Sequence, residues 1–297
     1  GSGTWLPPSL PAPDYFLRGA RRNLSEPALV EVRTMEFSPR HARAFKPRYY
    51  EMDDHGETTP TAMMGLFEDV AFSHCECTGW DVFRLREAGY GWIMIEGGFE
   101  MTRYPRYREA FTIETWLEGA RLFYGLRGFE VKDETGGTIG RARSLWVFYD
   151  LAKHRPAPVL DDILKSWKPD PEVVPARGAA DGGPVGGEPL ALPPDGLPSF
   201  DVRALDIDTN GHVNNVRYLE WALESVPPEI RGGYRLASLQ GRFIHEVVRG
   251  QSVTPVSAFE RKDTDTLGCR LSVHASGLAA AAPDVAACAT AAWTRKD

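Results

Sequence analysis

The feature that most restricts how this chain can fold is a weak internal repeat. Sliding the sequence on itself by 155 residues lays Arg203 on Arg48, Asp206 on Glu51, Asp208 on Asp53 and Gly211 on Gly56. Leu219 and Trp221 then fall on Met64 and Leu66, and Glu224 falls on Asp69. In both copies a strand-like stretch enters an acidic, glycine-containing turn and leaves as a helix. Thr59 can cap the first helix and Pro60 suits its first turn, while Met63, Met64, Phe67, Val70 and Ala71 recur at helical spacing. In the first copy strand-like stretches fall at 45–52, before the helix, and at 111–118, 122–132 and 141–151 after it. In the second they fall at 235–248, 253–261, 267–275 and 288–293. The expected fold is α+β, two copies of one strand-helix-strands unit joined as a tandem pseudo-dimer.

Composition sets the boundaries between the copies. Residues 168–199 are dense in Pro, Gly, Ala and Asp with almost no periodicity, and such a stretch buries too little apolar surface to hold a core. The expected organisation is an N-terminal arm at 1–42, a first unit at 43–167, a linker or surface excursion at 168–199 and a second unit at 200–297. The Gly-Ser-Gly start reads as a cloning remnant, and no basic-then-apolar leader pattern follows it. A net charge of −7 provides no global positive field for nucleic acid or an anionic membrane. No stretch approaches the roughly 20 apolar residues of a spanning helix. Four cysteines in 297 residues are too few for a disulfide scaffold, so reduced thiols and a cytoplasmic setting are expected. The Cys75-x-Cys77 pair lacks a second knuckle, so no metal site is expected. There is no glycine-rich phosphate loop, and no cofactor is expected.

The stretch 206–221 carries the most chemistry. Asp208, Asn210 and His212 alternate across a turn that leads into an amphipathic helix with Val216, Leu219, Ala222, Leu223 and Val226 as its apolar stripe. Alternation in an extended turn would point a carboxylate, an amide and an imidazole to one side. The free N–H groups at the helix start would suit a developing oxyanion. The bland alternative carries equal weight on residue types alone: Asp208 and Asn210 as turn formers, Asn214 as a helix cap.

The pattern Asp208-x-Asn210-x-His212-Val-Asn-Asn-Val-x-Tyr218-Leu-x-Trp221 resembles the catalytic motif of the acyl-ACP thioesterases of plants and bacteria. The first unit is similar to that family's N-terminal half, through Arg103-Tyr-Pro-Arg106, Thr112-Ile-Glu-Thr-Trp-Leu117 and Ser144-Leu-Trp-Val-Phe-Tyr-Asp150. The resemblance implies a tandem (double) hotdog, each half a curved antiparallel sheet wrapped around a long helix. It also implies hydrolysis of the thioester joining a fatty acyl chain to the phosphopantetheine of acyl carrier protein. Its fourth catalytic position falls on Glu246. Many plant members carry Cys next, where this chain has Val247, so a thiol nucleophile is not available at that position.

The expected mechanism is attack of water held and deprotonated by Glu246 and His212. Asn210 and backbone N–H groups would stabilise the oxyanion, and Asp208 would either orient its neighbours or act as nucleophile. The first copy has Asp53, His55 and Glu57 at the positions of Asp208, Asn210 and His212, which points to one active site per chain. The resemblance further implies that the first half shapes the acyl tunnel, with Met63, Met64, Phe67, Phe72, Trp92 and Met94 as candidates against a plain core role. His245 and His74 read as structural or exposed, His245 because strand alternation would turn it away from Glu246. Arg103, Arg106 and Arg108, with a second cluster of Arg40, Arg43, Lys46 and Arg48, are candidates for docking the acidic carrier; a solvated basic face is the alternative. A hotdog thioesterase acting on acyl-CoA or a polyketide-type carrier, and a non-catalytic carrier-binding protein, are the rival readings. A monomer and a homodimer both fit a tandem hotdog.

Overall fold

The computed structural model describes residues 38–178, 184–193, 197–209, 211–276 and 285–296. Asn210 and nearly all of the expected arm lie outside the described residues. The first half contains β1 (Arg40–Phe45), α1 (Pro60–Cys77), α2 (Val82–Glu87), β2 (Tyr90–Met101), β3 (Phe111–Arg121), β4 (Tyr124–Asp133), β5 (Thr138–Asp150), β6 (Arg155–Pro156) and α3 (Asp161–Trp167). The second contains β7 (Phe200–Asp201), α4 (Asn215–Glu224), α5 (Pro228–Gly233), β8 (Tyr234–Phe243), β9 (Ser252–Arg261), β10 (Thr266–Ala275) and β11 (Val285–Arg295).

Among the described residues the strands form one antiparallel sheet in the order β1-β3-β4-β5-β2-β8-β11-β10-β9-β7, with β6 on β5. The order reads the same from either edge, once β7, β8, β9, β10 and β11 stand for β1, β2, β3, β4 and β5. Each half is therefore a hotdog, a sheet with its own helix packed on one face, and the two meet where β2 pairs with β8. At that seam Gly97 faces Gly241 and Gly98 faces Gln240. A Cβ on Gly98 would lie 2.5 Å from the Leu239 carbonyl oxygen, so the strands meet closely only because the side chain is absent.

Alternation builds the sheet's buried face. In β3, Phe111, Ile113, Thr115 and Leu117 are buried while the residues between them retain partial exposure. Met63, Leu66, Phe67 and Val70 of α1 share one apolar cluster with Tyr218, Leu219, Trp221 and Ala222 of α4, so a single core spans the seam. Thr59 caps α1 by accepting the Ala62 N–H at 3.2 Å, and Pro60 opens the helix, as their types predict.

The repeat holds to individual backbone bonds. Met52 bridges Thr58 as Ile207 bridges Val213. The Asp53 N–H donates to the Glu57 carbonyl and the Asp208 N–H to the His212 carbonyl, each at 2.8 Å. Two sequence expectations need correction. The stretch 45–52 is not one strand: β1 ends at Phe45, Pro47 lacks the N–H a ladder needs, and Tyr49–Glu51 forms a 3-10 turn closed by Arg48 and Glu51. The strand expected over 235–248 stops at Phe243, which leaves Glu246 on a loop.

The described parts of 168–199 run over the sheet with little regular structure of their own. The Asp170 N–H donates to the Glu118 carbonyl, and the Leu190 N–H reaches Ser272 Oγ at 2.9 Å. Among the described residues no helix is long and apolar enough to cross a membrane.

Candidate active site

The turn before α4 is built by its backbone. Asp208 and His212 close it through the 2.8 Å bond, and the Gly211 N–H donates to the Asp208 carbonyl at 3.1 Å. Gly211 sits at φ +82°, a left-handed conformation that a side chain would strain. The turn is thus a tight reversal rather than the extended alternation expected from the sequence. The Val213 N–H then donates to the Val247 carbonyl at 3.0 Å, stitching the turn to the loop after β8. That stitch brings His212 Nε2 within 3.4 Å of Glu246 Oε2. Their side chains are 44% and 62% exposed, so water reaches both.

Asn214 caps α4: its Oδ1 accepts the Val216 N–H at 2.8 Å, and its carbonyl accepts the Arg217 N–H at 2.9 Å. The Val216 N–H is therefore occupied by the cap that the residue type of Asn214 allows, and is not among the N–H groups open to an oxyanion. Asn214 Nδ2 donates in turn to Glu68 Oε2 of α1, 3.1 Å away. Burial and the nearby Asp208 charge push the Glu68 carboxyl up to about 7, against the pull of Asn214. Neither Glu68 nor Tyr218 was singled out from the sequence for this role. The buried Tyr218 hydroxyl accepts the Val247 N–H at 2.9 Å and holds the loop that carries Glu246. His245 lies on the same loop, so strand alternation does not set its direction.

An apolar cavity, open to solvent on one side, lies beside this cluster, between α1 and α4 and the middle of the sheet. Met64, Phe67 and Met94 line it with Glu68, Asn215 and Tyr218, and Leu239, Leu271 and Ala287 close it from the second half. The cavity thus draws on both halves. Gly97, Gly98 and Gly241 leave room for it at the seam. Met63 is fully buried in the core, and Phe72 and Trp92 line a separate, smaller cavity with Arg127 and Trp167.

In the first half the equivalent turn is spent on structure. Asp53 Oδ1 accepts the N–H groups of His55 and Glu57, and Glu57 is buried against Arg106 at 3.2 Å and Arg235 at 3.5 Å. Thr58 bonds the Pro105 carbonyl as Val213 bonds that of Val247, so Tyr104 occupies the place of Glu246. The basic clusters are largely compensated: Arg103 pairs with Glu109 and Asp133, Arg40 with Glu114, Arg43 with Asp69 and Arg48 with Glu51. Arg108 lies over Tyr107. Among the described residues no group of three or more His, Cys, Asp or Glu is placed to hold a metal.

The tandem hotdog, with the His212–Glu246 pair on the turn before α4 and an apolar cavity between the helices and the sheet, defines a class, and comparison with known proteins gives the family. The acyl-ACP thioesterase N-terminal domain model matches residues 39–167 and the acyl-ACP thioesterase C-terminal domain model matches residues 196–293. The chain belongs to the acyl-ACP thioesterase family. It is 28% identical over 217 residues to an oleoyl-acyl carrier protein thioesterase of Arabidopsis thaliana, covering 67% of this chain and 57% of that protein. It is 27% identical over 259 residues to the Coriandrum sativum oleoyl-acyl carrier protein thioesterase, covering 81% and 68%. The chain thus spans little more than half of the Arabidopsis relative. Among solved structures, an acyl-ACP thioesterase from Bacteroides thetaiotaomicron shares the fold at TM-score 0.70 and 22% identity, over 86% of this chain and 98% of that one. The 12:0-ACP thioesterase from Umbellularia californica does so at TM-score 0.70 and 19% identity, over 87% and 98%.

Proposed function

We propose that this chain hydrolyses the thioester of fatty acyl-ACP, releasing a free fatty acid and the carrier's phosphopantetheine thiol. The observation that carries the reading is the water-exposed His212–Glu246 pair, on the turn that leads into α4, whose Asn215 and Tyr218 line an apolar cavity that we assign to the acyl chain. Glu246 orients the imidazole, and His212 takes a proton from water as its oxygen attacks the thioester carbonyl carbon. The tetrahedral oxyanion collapses, the C–S bond breaks, and the imidazolium returns its proton to the leaving thiolate. Asp208 orients the turn and Asn210 supplies an oxyanion donor; losing such a donor typically costs about 10²–10³ in rate. Met64, Phe67 and Met94 are assigned to the acyl chain because they line the cavity. Of the basic residues considered for carrier docking, Arg103 and Arg106 already spend their charge on internal carboxylates, which favours Arg108. Four thiols without a disulfide support a reducing, cytoplasmic setting.

Side-by-side kinetics on acyl-ACP and acyl-CoA of equal chain length test the carrier. A higher kcat/KM on acyl-ACP is expected. A preference for acyl-CoA would assign the same chemistry to the other carrier.

A further inference from the structure

We infer that Glu68, contributed by the N-terminal half, is a positioning residue of the C-terminal active site, holding the catalytic turn through Asn214. The inference rests on the reading of His212 and Glu246 as the reacting pair. Asn214 is the joint between turn and helix: its N–H donates to the Asp206 carbonyl, its Oδ1 caps Val216, and its Nδ2 reaches Glu68 Oε2 at 3.1 Å. The amide cannot be flipped, because Nδ2 would then face the Val216 N–H, donor against donor. Glu68 must accept, and its bond holds the Asn214 amide from the α1 side.

The fold itself does not require a carboxylate there. The repeat places Leu223 at the counterpart of Glu68 and Thr59 at the counterpart of Asn214, and Leu223 packs on the core as a partly buried hydrophobe. The acceptor is present on the side that carries the chemistry and absent on the side that does not. Glu68 also lines the cavity beside Asn215 and Tyr218, so it touches both the cavity and, through Asn214, the turn that carries His212.

The groups around Glu68 leave its charge uncompensated. Asp208 repels it from the turn, and Asn214 is its neutral partner on α4. Arg143 of β5 and Arg242 of β8 line the same cavity, but Arg143 is bound to Glu118, and Arg242 is held by the Gly187 carbonyl and Cys288 Sγ. The Tyr218 hydroxyl accepts from the Val247 N–H and donates to the His245 carbonyl. With the carboxyl near 7, the stronger, ionised acceptor prevails above neutrality and the protonated one below it.

The test compares wild type, Glu68→Gln and Glu68→Ala by two readouts. In steady-state kinetics on acyl-ACP across pH 5.5–9, Glu68→Ala is expected to lower kcat about tenfold with KM within twofold, and Glu68→Gln to recover most of that loss. Glu68→Gln is also expected to remove one ionisation near pH 7 from the kcat profile and leave the others in place. Independently of turnover, the side-chain amide resonance of ¹⁵N-labelled Asn214 is expected to titrate near pH 7 in wild type and to be flat in Glu68→Gln. Wild-type kcat in Glu68→Ala, or an Asn214 resonance indifferent to pH and to both substitutions, would overturn the assignment. A wild type inert on every acyl-ACP would sink the proposed activity, while the Asn214 resonance would still decide whether Glu68 holds the turn.

Discussion

Replacing Tyr218 by Phe removes one oxygen and tests whether the Glu246 loop is held as described. The ring stays packed 5.4 Å from Trp221 and 5.4 Å from Phe243, so the change isolates the hydroxyl. That hydroxyl accepts the N–H of Val247, whose residue is fully buried, at 2.9 Å. Its loss leaves a buried donor with no acceptor, which costs about 1–3 kcal/mol. The Val247 carbonyl keeps its bond from Val213 and the Ile244 and His245 N–H groups keep theirs to the Ala286 carbonyl, so the loop stays attached and a loss near the middle of that range, about 2 kcal/mol, is expected. The kinetic effect should be larger than stability alone would give. His212 and Glu246 already stand 3.4 Å apart, and a displacement of about 1 Å in a catalytic group can cost up to about 10² in rate. Urea unfolding gives the first quantity and single-turnover release of fatty acid the second. A change under about 0.5 kcal/mol, with an unaltered rate, would refute the claim that Tyr218 holds the loop.

Burial and the Arg127 guanidinium hold the buried His74 ring at about 3 in the folded state, so it stays neutral where an unfolded imidazole would charge. Folded His74 has the depressed pKa, so its contribution is present above about pH 6.5 and is lost as pH falls toward 3. Lowering pH from 6.5 to 5 should cost wild type about 2 kcal/mol by this route, and urea unfolding of His74→Gln should show a flatter loss; parallel curves would contradict it. Gly98→Ala forces a Cβ against the Leu239 carbonyl across the seam and should lower stability by about 2 kcal/mol or more. An unchanged Tm would show that the seam tolerates a side chain. In a single turnover in H₂¹⁸O the label should enter the released fatty acid alone. Label in Asp208 would establish a covalent acyl-enzyme in place of direct water attack.

The repeat was legible because its residues are turn and cap formers whose local physics survives low identity. Asp53 and Asp208, Gly56 and Gly211, and Thr59 and Asn214 each occupy equivalent places in the two turns. The strands β3 to β5 could be read from alternation and from turn residues such as Asp133 and Gly136. What sequence could not supply was long-range pairing. Glu68 reads as an ordinary polar residue beside an apolar helical stripe, and only the packing of α1 on α4 brings it to Asn214, 146 positions away. The basic clusters read as a docking surface because their compensating carboxylates lie on other elements, such as Glu114 for Arg40. Glu246 reads as a strand residue because the apolar run continues past Phe243, although the ladder with β11 ends there.

The central claim is that one His212–Glu246 pair drives thioester hydrolysis, and release of free fatty acid from a panel of acyl-ACPs tests it most directly. Wild-type turnover on at least one chain length, with at least a hundredfold loss in both His212→Ala and Glu246→Ala, is the predicted result. Wild-type rates in either variant, or acyl-ACP bound but never hydrolysed, would contradict it.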